Sequence, residues 1–393
     1  MIGRAGSVVR VRAYLDHAAT TPMRPQAVAA MLPFLTEAGC FGNPSGGHSV
    51  AREARRALDE ARDSVARDLG CEPGEVVFTS GGTESDNLAV LGSHVATGGE
   101  VACSAVEHHA VLRACESARG TTVAVDDSGK LRIDALADAL HPGVGVVSVM
   151  LANNEVGTIQ PIAEVAAVVR DRAPGAILHT DAVAGVGWLD VAFAVGAADL
   201  VSVSAHKFGG PKGVGALVVR DNVRIEPRML GGEQERGRRA GTHDVAGIVG
   251  MAAALSAATT GHGEQVTRTK LLRDRLAEGV LASVEGAFES AVPAGACPAH
   301  DREGKLVSSF HVRFDGIVAE ELLYLLDEAG ICASAGAACA SGALEPSHVL
   351  LAMGLTPAEA RSAVRFSLGV ATTEAEIDHV LDVLPELVGR LRS

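Results

Sequence analysis

Residues 199–217 read DLVSVSAHKFGGPKGVGAL. The first six form a short apolar run with the length and branched content of a buried strand. The run ends at Ser204, and His206, Lys207 and a glycine-rich stretch follow. In an open α/β sheet, ligands bind outside the carboxyl ends of the strands, so these polar residues are where chemistry is to be sought. A lysine that forms a Schiff base needs a fixed position and surroundings that keep part of it deprotonated. A lysine alone is more often simply solvated, so the neighbours decide. The glycines suggest a phosphate loop, but the G-x-x-x-x-G-K-[ST] pattern is missing, which rejects a P-loop.

The same design recurs along the chain. EVVFTS (75–80), GVVSVM (145–150) and AILHTDA (176–182) are further short strands with polar or small endings. Helical spacing marks 49–69, 84–93, 109–118 and 161–173 between or before them. That alternation predicts an α/β fold with a mostly parallel sheet between helices. After about residue 255 the character changes, with a long helix pattern at 267–284, the Pro-, Gly- and Ala-containing AVPAGACPAH, strand SSFHVRF (308–314) and helix AEELLYLLDEA (319–329). The expected division is an N-terminal segment 1–15, a large domain 16–255 and a smaller α+β domain 256–393.

Composition excludes some partners. The chain has 393 residues, 47% of them hydrophobic, enough for a substantial core. Lys plus Arg is 34 against 48 for Asp plus Glu, a net charge of −14 that argues against direct nucleic-acid binding. No apolar run has the length of a membrane span, and MIGRAGSVVRVRAYLDHAATT lacks the apolar core of a secretion signal, so a cytoplasmic location is the default. The seven cysteines (40, 71, 103, 115, 297, 332 and 339) include no CxxC pair, which points to reduced thiols and no metal site.

Three further strand ends and helix starts carry candidate chemistry. Asp181 closes a strand 26 residues before Lys207; a carboxylate there suits a protonated pyridine nitrogen as well as it suits a turn. TSGGTESDN (79–87) is a tight turn into a helix whose first amides could receive a phosphate. His108 opens another helix, where it could cap the helix or lie on a ring. Cys339 sits in CASAGAACASG (332–342), a run with almost no apolar neighbours to pack a structural thiol, so it invites a chemical reading.

In this order the pieces resemble the cysteine desulfurases, pyridoxal phosphate enzymes of the class V aminotransferase group with fold type I architecture. The matching stretches include YLDHAATTP (14–22), FGNPSGGHS, TSGGTESDN, EHHAV, ANNEVGTIQPI, HTDAV, SAHKFGGPKGVGAL, GGEQERGRRAGT, SAGAACASGALEPSHVL and VRFSLG (364–369). The resemblance implies pyridoxal 5'-phosphate as cofactor, with Lys207 as its Schiff-base lysine and Asp181 against the pyridine nitrogen. Gly82, Thr83, Ser204 and His206 would hold the phosphate, and Thr242 would reach it from the neighbouring subunit of a homodimer. His108 would stack on the ring and take part in proton transfer. Asn154 would lie near ring and substrate, and Arg365 would clamp the carboxylate of L-cysteine. Cys339 would take the substrate's sulfur as a persulfide, leaving L-alanine, and pass it to an acceptor: an iron–sulfur scaffold, a tRNA-thiolating enzyme or a sulfur carrier. The chain departs from the family at Ala184, where a glutamine is usual, and at Glu233 and Ala240. A related lyase or epimerase acting on selenocysteine, cysteine sulfinate or another amino acid, and a non-catalytic sulfur-relay protein, are the alternatives.

Overall fold

The computed structural model describes residues 12–36, 40–292, 302–335 and 345–393; Cys297 and Cys339 lie outside the described residues. Its strands are β1 Ala13–Tyr14, β2 Val76–Thr79, β3 Glu100–Ser104, β4 Thr121–Val123, β5 Val144–Ser148, β6 Ile177–Asp181, β7 Leu200–Ser204, β8 Gly215–Val219, β9 Ala287–Glu289, β10 Ser309–Phe314, β11 Ile331–Cys332 and β12 Ala363–Ser367. Among the described residues seven of them form one sheet in the order β2-β8-β7-β6-β5-β3-β4. From β7 to β4 every neighbouring pair is parallel. The central strands are buried along their whole length, as a sheet covered on both faces demands.

One strand runs against the rest. GALVV (215–219), directly after the glycine-rich stretch where the sequence suggested a loop, is β8, antiparallel to both β7 and β2. Glycine is required at its start: a Cβ on Gly215 would stand 2.7 Å from the Gly81 Cα and 2.7 Å from the Val203 carbonyl oxygen. That close approach seats the turn at 79–82 directly on the end of β7.

The predicted helices form at 49–69, 82–97, 109–117 and 162–172, each with an apolar face toward the sheet. Helix Val245–Thr260 packs on the first core, and after Gly261 the helix His262–Ser283 packs on a second. This second core joins Phe310, Phe366, Leu322 and Leu384 with Ala13 and Leu15 from the start of the described chain. It covers the antiparallel sheet β12-β10-β9 and the parallel pair β1-β11. Among the described residues no single helix is long and apolar enough to cross a membrane.

Candidate active site

β7 delivers Lys207 one turn of 3₁₀ helix beyond its end, Ala205–Lys207. The lysine sits where three cavities meet. Its Nζ donates to the carbonyl oxygens of Ala18 and Ala19, the latter at 3.1 Å, so the YLDHAATTP stretch fixes its position. The same stretch holds His206: its Nδ1 lies 3.2 Å from Thr20 Oγ1. Burial, then Lys207, pull the His206 ring down to about 4, so it is neutral at physiological pH.

The turn from β2 into helix Gly82–Thr97 faces the end of β7. This helix starts at Gly81 (φ 143°) with no side-chain cap, leaving first-turn amides without the partner a capping residue would supply. Gly82, Thr83 and Ser204 line one cleft together. A Cβ on Gly82 would meet Val183 Cγ2 at 3.0 Å and Ser204 Cβ at 3.7 Å, so only glycine leaves this floor open. An uncapped helix start beside hydroxyls and a glycine floor is the donor set a phosphate needs.

Asp181 ends β6 on the same rim, 5% exposed. Its Oδ1 accepts the Val183 N–H at 2.8 Å. Burial raises its carboxyl to about 6, against the lowering pull of Val183 and Lys207. Beneath it lie residues the sequence reading passed over. Asp86 lines the cleft from the helix, His179 stands two residues before Asp181 on the same strand, and Glu107 is buried beside His108. The periodicities held the signal. Asp86 is four residues after Gly82 on a helix, and His179 is two before Asp181 on a strand, so each pair shares a face.

His108 is the N-cap of helix His109–Ser117, its Nδ1 accepting the Ala110 N–H at 3.1 Å. That bond places the proton of the neutral ring on Nε2. Burial, then Lys207, His109 and His348, pull the ring down to about 4. His108, Asn154, Ala184, Asp181 and Lys207 line a single cleft with Gly82, Thr83 and Ser204. No hydrogen-bonding side chain is available at position 184 for a bound ring.

Arg365 is 2% exposed on β12 and lines none of these cavities. It reaches the site through Asn154: Nη1 donates to the Asn154 carbonyl oxygen at 2.8 Å and Nη2 to Asp16 Oδ1 at 2.8 Å, while its buried Nε has no partner. The chain just after β11 is tied to Arg365, since Ser334 and Arg365 exchange backbone hydrogen bonds at 3.1 and 2.7 Å. Thr242 is exposed, before helix Val245–Thr260 and away from the cleft lining. Cys332, the neighbour thiol within the described residues, is half-buried and raised by burial.

The class V aminotransferase model matches residues 13–380. A cysteine desulfurase of Gluconacetobacter diazotrophicus is 45% identical over 96% of this chain and 94% of its own length. An IscS-like cysteine desulfurase of Mycobacterium tuberculosis is also 45% identical, over 97% of each chain. Among solved structures, a NifS-like protein superposes with a TM-score of 0.88 at 34% identity, covering 96% of this chain and all of that one.

Proposed function

The chain belongs to the class V aminotransferase family, has the fold type I architecture and is a cysteine desulfurase; on that premise we propose that it uses pyridoxal 5'-phosphate in the cleft at Lys207 and passes the sulfur of L-cysteine through Cys339. The observation that carries the proposal is the single cleft in which an uncapped helix start, a buried carboxylate and a lysine at a strand end converge. Gly82, Thr83, Ser204 and His206 would hold the phosphate, and Asp181 the ring nitrogen. Bound there, the cofactor supplies an electron sink for the substrate's α-carbon.

The protein's own groups do the rest. Lys207, positioned by two carbonyls, provides the amine for covalent attachment and a base that moves a proton at the substrate carbon. His108, neutral and protonated at Nε2, gives a proton to a leaving atom and can take it back. Asn154 and Arg365 receive the substrate carboxylate, which shares the Arg365 guanidinium with Asp16. The Cys339 thiolate attacks the substrate sulfur, the C–S bond breaks, and L-alanine leaves while the enzyme keeps a persulfide for an acceptor protein.

A homodimer fits two features of the surface. Large apolar side chains are exposed at Met23, Leu32, Leu35 and Phe41 and again at Met229 and Leu230, and Thr242 lies outside its own cleft. In that dimer Thr242 serves the partner's phosphate site.

Two variants test the reading. Lys207→Ala should abolish turnover and the shifted cofactor absorbance; a variant that retains the shift has its cofactor on another lysine. Cys339→Ser should still bind cofactor and L-cysteine but release no sulfide. Labelled sulfur found covalently on that variant would move the acceptor role to another thiol.

A further inference from the structure

Three carboxyl groups stand under one wall of the cleft: Asp181 at 5% exposure, Asp86 at 1% and Glu107 at 0%. They are not equivalently served. Asp181 receives the Val183 N–H at 2.8 Å and faces the cation of Lys207. Asp86 has a buried Oδ1 with no hydrogen-bond partner, and Glu107 has Oε1 on the Met150 N–H at 2.7 Å but Oε2 unpartnered. Among the described residues no lysine or arginine pairs with either. The group nearest to a counter-ion for Asp86 is His179, with Nε2 3.7 Å from Asp86 Oδ1. That ring is fully buried, its two nitrogens on the hydroxyls of Ser148 at 2.8 Å and Ser202 at 2.9 Å. Two serine hydroxyls satisfy a neutral imidazole, and burial takes its proton affinity down to about 3, so it brings no charge.

An ionised carboxylate with a bare buried oxygen is costly, whereas a protonated acid is far less so. Resting on the reading of Asp181 as partner of a ring nitrogen, we propose that Asp86 is a positioning residue that keeps its proton beneath the cleft. Asp181 is thereby left as the carboxylate that carries negative charge toward a cationic ligand nitrogen. The groups facing Asp86 are Asp181 and His179 of β6, the Ser202 hydroxyl of β7 and Glu107 of the β3–helix connection; none of them is a cation at neutral pH. Burial first, and then the charge of Asp181, hold the Asp86 carboxyl well above the ordinary range, in keeping with this geometry.

The experiment uses the full chain without cofactor, so its outcome is independent of the absorbance test on Lys207. Unfolding is measured against pH for the unsubstituted protein and for Asp86→Asn, which keeps the shape and cannot ionise. Asp86 protonated when folded and ionised when unfolded means that the unfolding constant of the unsubstituted protein rises about tenfold per pH unit relative to the variant, from about pH 5 upward. In an Asp181→Asn background the same comparison should level off at lower pH, because the charge that adds to burial in holding Asp86 protonated is gone. Parallel curves for Asp86→Asn and the unsubstituted protein overturn the proposal, as does an unchanged levelling point in the Asp181→Asn background. If Asp86→Asn does not fold, the protonated-carboxyl stretching band in the infrared spectrum of the unsubstituted protein at neutral pH gives the test, and its absence overturns the proposal.

Discussion

Arg365 already holds two oxygens, those of Asn154 and Asp16, before any substrate arrives. The Asp16 carboxylate is about one-fifth exposed, so its pair with Arg365 is an ion pair of modest strength that an incoming carboxylate must share or displace. Such a pair is worth roughly 1 kcal/mol, or about fivefold in affinity. Asp16→Asn should therefore lower KM for L-cysteine about fivefold with little change in kcat, measured by steady-state alanine production. A raised KM would show that Asp16 orients the guanidinium rather than competing for it. The positions of Lys207, Asp181 and His108 were legible at the residue level because each lies at or just beyond a strand end or opens a helix. Asp16 was not: its meaning depends on the segment after β1 meeting β12, with Asp16 and Arg365 349 residues apart in sequence.

At the scale of elements, the segment 231–243 that carries Thr242 is built around one buried ion pair. Glu235 Oε1 meets Arg62 Nη2 at 2.6 Å and His243 Nε2 at 2.7 Å, and its Oε2 accepts the Phe78 N–H at 3.0 Å. Glu235 and Arg236 both adopt left-handed backbone, φ 48° and 58°, a conformation that non-glycine residues keep only when their surroundings impose it. The long helix 49–69 and β2 thus hold the loop in shape. Arg62→Met leaves Glu235 without its buried cation and should cost about 3–5 kcal/mol in unfolding free energy at neutral pH. The pair holds the Glu235 carboxyl down to about 2. A depressed carboxyl contributes stability above its unfolded value near 4.3 and loses it as pH falls toward 2. Unfolding curves of the two proteins should accordingly converge in acid; a constant gap would assign the loss to packing alone.

For the whole molecule, the interior is set for neutral histidines. Burial pulls His179 and His311 down to about 3, and His108 and His206 down to about 4. Each has an unfolded value near 6.5, so unfolding takes up protons as pH falls below that point, and stability is lost there by up to about 1.4 kcal/mol per pH unit per histidine. Buried Asp181, raised to about 6, works in the opposite direction, as do Asp86, Glu107 and Glu155, which burial also raises. His17, His109 and His348 add to the histidine side. Chemical unfolding of the cofactor-free chain should therefore show stability falling between about pH 6.5 and 5. A rise over that interval would mean that the carboxyls outweigh the histidines.

What the sequence determined by itself was local and periodic. Branched apolar runs of strand length, helical spacing between them, and polar residues placed at their ends are written in neighbouring residues, so the α/β class, the helices and the position of Lys207 could all be read directly. Only the tertiary structure decided the rest. β8 is a strand because Gly215 lets it close on Gly81 and Val203, a contact between segments far apart in the chain. Arg365 is held on Asn154 and Asp16 because three distant segments converge on it. Asp86, Glu107 and His179 looked like ordinary helix, connection and strand residues. Burial of all three, and the unpartnered oxygens of Asp86 and Glu107, change the free energy of a charge without changing the residue's identity, and only the tertiary structure shows them.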